Sequence, residues 1–293
     1  MVRSTTLRAS GLSFPALTAG DGPLVLCLHG FPDDLGSFSG WLPALAEAGY
    51  RAVAPALRGY APSCQPPDGD YCVLRGAEDV LALMDALGAD QASLVGHDWG
   101  AITAYATAAL SPNRVRSLVT LAVPHFARLA PAIARRPRQL VRSWYVGFFH
   151  LRRVAEQALA RDDFALLERL WRTWSPGWEP PTERLASVRA TFRRPGVALG
   201  ALGWYRTLFA LWRPGARDSL RLLRMPVRVP TLALTGARDG CMDSALYDAM
   251  DPAEFPSGLR VERLADAGHF LHLERPDRTL ALTLEHLAAH ARA

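Results

Sequence analysis

Gly96-His97-Asp98-Trp99-Gly100 constrains this chain more than any other stretch of its 293 residues. It has the outline of Gly-x-Ser-x-Gly, the sharp turn that lifts a nucleophile between a strand and a helix, with aspartate in the serine position. The flanks agree. Gln91 to Val95 is a short apolar run that reads as a buried strand, and Ala101 to Leu110 is an alanine-rich run that reads as a buried helix. Glycines on either side let the backbone crowd where a Cβ would clash. Aspartate changes the chemistry of such a turn. A serine must lose its proton to a base before it attacks, whereas a carboxylate, with a reference pKa of about 3.9, is already ionised at neutral pH. It attacks a saturated carbon and leaves an alkyl ester on the protein. The turn therefore points away from esters and amides and towards carbons that bear a leaving group.

Partners follow downstream. Pro230 to Gly236 reads as a strand ending in a glycine turn, with Asp239 just beyond it. Leu259 to Leu264 reads as another strand, followed by Ala265-Asp266-Ala267-Gly268-His269-Phe270. Asp239 would fix the tautomer of His269 and stabilise its positive charge. His272 lies further along, in the segment expected to become the last helix, and is expected in a surface or packing role. Asp266 reads as a turn residue. Nucleophile, acid, histidine is the chain order of α/β-hydrolases and differs from the chymotrypsin and subtilisin orders. In that fold the loop after an early strand supplies one oxyanion-hole N–H, and the residue after the nucleophile supplies the other. Here Leu24 to Leu28 is that apolar strand, followed by His29-Gly30-Phe31-Pro32, so the donors would be the backbone N–H groups of Phe31 and Trp99. Pro32 is a candidate for a cis peptide. His29 is expected to hold structure rather than to react.

On these residues the chain resembles the epoxide hydrolase and dehalogenase branch of the α/β-hydrolases. The matching pieces are His29-Gly-Phe-Pro32, Arg58-Gly-Tyr-Ala-Pro-Ser63, Gly96-His-Asp-Trp-Gly100, Asp239 and the segment from Gly268 to Pro276, which together run through most of the chain. Opening an epoxide expels an alkoxide, a poor leaving group unless it is protonated or hydrogen-bonded, and phenols with a reference pKa of about 10 can do this. Epoxide hydrolases resemble one another in placing two lid tyrosines over the nucleophile. The matching residues here are Tyr205, in Gly203-Trp204-Tyr205-Arg206, and Tyr145, in the segment from Trp144 to Phe149 with Val154-Ala155-Glu156 downstream. Where that family has Gln-x-Pro-Gly after the first tyrosine segment, this chain has His150-Leu151-Arg152-Arg153. Haloalkane dehalogenases often place Asn after His-Gly to hold halide, and this chain has Phe31. Fluoroacetate dehalogenases carry arginines just after the nucleophile, and this chain has Trp99 and Ala101-Ile102. The Trp99 indole N–H could still serve a halide, so haloalkane dehalogenase, or another hydrolase on this scaffold, stays as the alternative. A non-catalytic ligand-binding relative is a second. The resemblance thus implies hydrolysis of a small, apolar epoxide to a vicinal diol through an ester on Asp98, with no cofactor and no metal.

The organisation expected is an α/β-hydrolase fold: a mostly parallel sheet with helices on both faces, interrupted by a helical lid. Residues 1–124 would form the first part of the core, 125–224 the lid and 225–293 the second part of the core. Asp33 or Asp34 could cap the helix leading through Trp41 and Leu45. The lid stretch is rich in arginine and tryptophan. Most of its aromatic residues are expected in the lid's own core, while Phe148, Phe149 and Trp204, with Trp99, are candidates for an apolar substrate pocket. The formal charge is +5 and every basic residue other than histidine is arginine. The lid arginines Arg135, Arg136, Arg138, Arg142, Arg152 and Arg153 are read as a solvated face, and no nucleic-acid motif accompanies them. Cys27, Cys64, Cys72 and Cys241 lack zinc-type spacing and are expected as reduced thiols in a cytoplasmic protein. Met1 to Ser10 lacks the apolar core of a signal peptide and no run is long enough to span a membrane, so no membrane partner is expected.

Overall fold

A computed structural model describes residues 1–291. The chain opens with an antiparallel hairpin, β1 (Arg3–Ala9) and β2 (Leu12–Ala19), which the sequence reading did not separate from the parallel pattern. Then come β3 (Leu24–Leu28), α1 (Leu42–Glu47), β4 (Arg51–Pro55), α2 (Val73–Ala86), β5 (Ala92–His97), α3 (Trp99–Leu110) and β6 (Val115–Leu121). Seven helices follow: α4 (Leu129–Ala134), α5 (Arg138–Arg142), α6 (Trp144–Phe148), α7 (Val154–Trp174), α8 (Thr182–Arg193), α9 (Val197–Leu208) and α10 (Pro214–Leu222). The alternation then resumes with β7 (Thr231–Gly236), β8 (Leu259–Leu264), α11 (Leu271–Glu274) and α12 (Pro276–Ala289).

The eight strands form one sheet in the order β1-β2-β4-β3-β5-β6-β7-β8, parallel from β4 onwards. Strand β3 explains why the sequence here is continuously apolar. Leu24, Leu26 and Leu28 pack into the core shared with α2 and α3, while Val25 and Cys27 pack into the core shared with α1 and α12. With alternate side chains facing opposite layers, both faces must be hydrophobic. The order of the sheet reverses between β3 and β5, and open α/β sheets bind ligands at such a switch point, outside the carboxyl ends of the strands. The loops that carry Phe31 and Asp98 leave the sheet there, and those carrying Asp239 and His269 leave the same ends of β7 and β8.

The helical stretch between β6 and β7 has no separate core. Phe149, Leu159, Trp171, Trp174, Phe192 and Trp204 belong to the same buried cluster as β3, α2 and α3. A charged clasp reinforces this packing. Arg184 of α8 reaches both Asp33 and Asp34, while Ser187 and Thr191 donate to Asp34 Oδ2 at 3.3 and 2.8 Å. Residues 184, 187 and 191 share one face of a helix, which is what lets one carboxylate meet all three. Asp34 also caps the short 3₁₀ turn Leu35–Phe38 by accepting from the Gly36 N–H. The expected cap thus exists but belongs to this turn, because α1 begins only at Leu42.

Candidate active site

The turn at Asp98 is shaped by exclusion. A Cβ on Gly96 would lie 2.3 Å from the Gly100 carbonyl oxygen, and one on Gly100 would lie 2.0 Å from that of Leu28. Only glycine fits either position. Between them Asp98 takes φ 52° and ψ −117°, a conformation that costs a non-glycine residue energy and is found where surrounding structure enforces it. The reward is placement. The Asp98 side chain stands at the N-terminus of α3, where the helix dipole favours negative charge.

Each carboxylate oxygen of Asp98 has a different neighbour. Oδ1 accepts the Phe31 N–H at 2.7 Å, and Oδ2 lies 3.8 Å from Nε2 of His269. On its other edge, His269 Nδ1 pairs with Asp239 Oδ2 at 2.9 Å. Asp239 is itself fixed, since its Oδ1 accepts the N–H groups of Cys241 and Met242 at 2.7 and 2.8 Å. Burial pulls the His269 pKa down, but the Asp239 charge, Cys241, the hydrogen bond to Asp239 and the Asp98 carboxylate 3.8 Å away outweigh it and hold the imidazole well above its ordinary value. The Phe31–Pro32 peptide is cis.

Both sequence-singled tyrosines come to this point. The Tyr145 and Tyr205 rings lie 5.7 Å apart and perpendicular, and Tyr205 packs on Phe31 at 5.3 Å and Trp99 at 4.9 Å. The Tyr145 hydroxyl is 3.1 Å from Cys241 Sγ. That of Tyr205 is buried with no partner, as are the Trp99 indole N–H and His269 Nε2. Burial first, then nearby negative charge including that of Asp98, pushes both phenols well above their usual pKa, so they are neutral donors at physiological pH.

The pocket candidates separate. Phe149 is fully buried against Phe31, Tyr145 and Tyr205. Phe148 is only half-buried and packs on Trp144 towards the outside. Trp204 differs from the expectation: its indole N–H donates to the Arg58 carbonyl at 2.9 Å and its ring packs on Trp99. It braces the tryptophan beside the nucleophile.

His29 is structural, as expected. Its Nε2 accepts the Leu57 N–H at 3.0 Å, and burial pushes its pKa down to about 4. His272 is a packing residue but neither exposed nor in the last helix. It lies in α11, stacks on Phe38 at 4.9 Å and contacts Ser37 Oγ at 2.8 Å. Asp266 sits on the surface, paired with Arg275.

Sequence reasoning missed the supports. The Trp174 carbonyl accepts the N–H groups of both Gly240 and His269, at 2.9 and 3.1 Å, so the end of α7 fixes the acid loop and the base loop together. Trp171 donates its indole N–H to the Pro32 carbonyl at 2.8 Å. Ser175 Oγ donates to Glu274 Oε1 at 2.6 Å, and Glu274 Oε2 accepts the Gly268 N–H at 2.8 Å. Tyr60, within the Arg58–Ser63 motif, adds to Tyr205 a second buried phenol with no partner, and its ring meets His29 at 4.6 Å. The tryptophan density of the stretch was the only signal that could have pointed to these contacts.

Residues 23–276 match the family model described as the alpha/beta hydrolase fold. Epoxide hydrolase A of Mycobacterium tuberculosis is 30% identical to this chain, with 95% of each chain aligned. An epoxide hydrolase of Caballeronia sordidicola is 32% identical, over 93% of this chain and 90% of its own. The crystal structure of Epoxide Hydrolase A from Mycobacterium thermoresistibile superposes with a TM-score of 0.82 at 27% identity, covering 98% of both chains. The chain belongs to the α/β-hydrolase fold family. Within that family, these relatives are epoxide hydrolases. No described helix is long and apolar enough to cross a membrane.

Proposed function

We propose that this protein is an epoxide hydrolase with Asp98 as nucleophile, His269 and Asp239 as the base pair, Tyr145 and Tyr205 as the acids, and the Phe31 and Trp99 amides as the oxyanion hole. Residues 125–224 act as the lid that carries both phenols, and residues 1–124 and 225–293 form the core. The observation that carries this reading is the pairing of a strained carboxylate with two buried, neutral phenols whose rings are 5.7 Å apart. A carboxylate can displace many leaving groups, but only a basic one such as an alkoxide needs two proton donors.

In the first step Asp98 Oδ2 attacks an oxirane carbon and the ring C–O bond breaks. The departing oxygen, hydrogen-bonded by Tyr145 and Tyr205, takes a phenolic proton, giving a hydroxyalkyl ester. Ester formation removes the Asp98 carboxylate, one of the influences keeping His269 protonated, so the imidazole releases its proton to solvent, reaching the neutral form that the next step needs, and regains one when the carboxylate is restored. His269 Nε2 then takes a proton from water, and the hydroxide attacks Asp98 Cγ. Oδ1, already the partner of the Phe31 N–H, carries the oxyanion charge. Collapse breaks the ester bond. His269 returns its proton to the leaving alkoxide, giving the diol, and the proton of the regenerated Asp98 carboxylic acid restores the phenol. Phe31, Phe149 and Trp99 around the phenols favour an apolar substituent on the epoxide.

Haloalkane dehalogenation has one observation in its favour, the unpartnered Trp99 indole N–H, which could hold a halide. A halide leaves without a proton, however, and both phenols would stand idle. The deciding experiment uses His269→Ala, a panel of epoxides and the mass of the peptide containing Asp98. A gain equal to a whole epoxide, absent in Asp98→Asn, supports the reading. A halide-releasing adduct from haloalkanes alone, with folded protein, would replace it.

A further inference from the structure

Charge is divided sharply within this chain. Residues 125–224 hold nineteen arginines against seven carboxylates, a formal +12, while the rest holds fourteen against twenty-one, a formal −7. Exposed apolar side chains divide the same way. Of thirteen large ones among the described residues, nine lie in 125–224, including Trp212 at 79%, Leu199 at 55% and Phe209 at 51% exposure. A soluble protein scatters such residues singly, and a concentration of them marks a contact surface.

These features converge on one face. Arg152, Leu199, Arg206, Trp212 and Arg213 line a single shallow depression of about 310 Å³. No carboxylate lines it. Arg206 is already paired with Glu156, whereas Arg152 and Arg213 form no ion pair among the described residues. The face continues past the rim, with Phe209 6.1 Å from His150, beside exposed Leu151, and Trp144 5.6 Å from Phe148. Beyond Trp144, α5 exposes Leu140 and Val141 next to Arg138, while Arg142 is engaged by Asp243 and the Asp239 carbonyl.

We propose that this outer face of the helical insertion docks on a bilayer surface that carries anionic lipid headgroups. The chemistry selects that occupant. Trp side chains partition to the level of the headgroups, and arginine stems lie along apolar surface while their guanidinium groups reach phosphate. Unpaired basic residues beside apolar tips give both attractions that a peripheral protein needs, insertion and charge. A second copy placed face to face would set Arg152 and Arg213 against their own counterparts, like charge against like. No described helix is long and apolar enough to span a bilayer, and docking needs none. It would also bring the protein to where apolar molecules concentrate, whatever reaction it performs.

The test is co-sedimentation of the full chain with phosphatidylcholine vesicles, with and without phosphatidylglycerol, at low and high salt. Binding to the anionic vesicles at low salt is expected, about tenfold or more weaker on neutral vesicles or at high salt. A Phe209→Ser, Trp212→Ser double variant should bind about tenfold more weakly while keeping its melting temperature and its turnover. Arg152→Glu with Arg213→Glu should lose the preference for the anionic lipid. No binding to anionic vesicles at low salt, or binding indifferent to both variants, overturns the proposal. So does self-association of the wild type that the Phe209→Ser, Trp212→Ser variant abolishes, since a second copy would then cover the face.

Discussion

The loops at the strand ends and the helical insertion contribute to the same site by opposite means. The loop residues are held by backbone geometry: Asp98 by two glycines that no other residue can replace, Asp239 by two N–H groups, Phe31 by its own N–H to Asp98. The insertion's residues are held by side-chain packing, ring against ring, with Tyr205 wedged between Phe31 and Trp99. A group fixed by its backbone can carry covalent chemistry in which small displacements are costly. A group fixed by packing is suited to donating a hydrogen bond, which tolerates more. The difference teaches that loss of activity should fall steeply from loop residues to insertion residues.

The largest effect is expected at the nucleophile. Asp98→Asn should lower kcat about 10⁴-fold or more, with the fold intact by circular dichroism. A variant within tenfold of wild type would mean that Asp98 does not form the ester. His269→Ala should match it in steady-state turnover but differ in a single-turnover experiment, where the ester on Asp98 accumulates instead of failing to appear. Equal absence of ester in both variants would break the assignment of His269 to the second step.

Next come the phenols. Tyr145→Phe and Tyr205→Phe should each cost about 10²-fold in the rate of ester formation, the range of a single general acid, and the double variant considerably more. Rapid-mixing measurement of ester formation separates this from hydrolysis. Tyr145 is held at Cys241 and Tyr205 is not, so Cys241→Ala should slow ester formation through Tyr145 and be silent in that step in a Tyr145→Phe background, while its influence on His269 falls on hydrolysis. A further loss of ester formation in that background would show that the thiol acts elsewhere.

How much of this could be read from the sequence follows the same division. The turn at Asp98 and the positions of Asp239 and His269 announce themselves through glycine and strand ends, strand β3 falls where its apolar run begins and ends, and β8 spans the Leu259–Leu264 range expected of it. The β1–β2 hairpin went unseen because its outer strand is largely exposed and lacks the apolar run that marks the inner strands. The insertion's part was legible only through resemblance. Nothing local says that Trp204 spends its N–H on Arg58, 146 residues away, or that the Trp174 carbonyl ties the loops of Asp239 and His269 together. Packing partners far apart in the chain leave composition as their only trace, and composition does not say which ring meets which.

Arg184 makes the buried ion pairs between the two regions, where Arg128, Arg136 and Arg142 make exposed ones, and its loss tests whether the insertion depends on that joint. Arg184→Met would leave Asp33 and Asp34 buried without their cation, a change that costs about 3 kcal/mol or more when a buried pair is broken. The melting temperature should drop by several degrees, and kcat should fall less than in either tyrosine variant, because Trp171 still holds the Pro32 carbonyl. A kcat loss larger than that of Tyr205→Phe would place the clasp nearer the chemistry than the packing suggests.

The smallest effect is a pH dependence within that clasp. Burial, only partly offset by Arg184, pushes the Asp33 pKa up to about 6, above the usual 3.8. A carboxyl whose pKa is raised by folding binds its proton more tightly in the folded state, so its contribution favours folding more as pH falls from about 7 towards 5. This is the reverse of a carboxylate stabilised by an ion pair, and it separates Asp33 from Asp34, whose pKa the Arg184 charge and several hydrogen bonds hold below normal against its burial. The change in melting temperature between pH 7 and pH 5 should therefore be more favourable in wild type than in Asp33→Asn, by about 2 °C for each kcal/mol involved. Asp34→Asn should leave the change between pH 7 and pH 5 close to that of wild type and alter the profile below about pH 4 instead, where wild type loses stability as the carboxylate that the clasp keeps charged is protonated. If the two variants changed the pH profile alike, Arg184 would be shared evenly between them and the clasp would have no preferred partner.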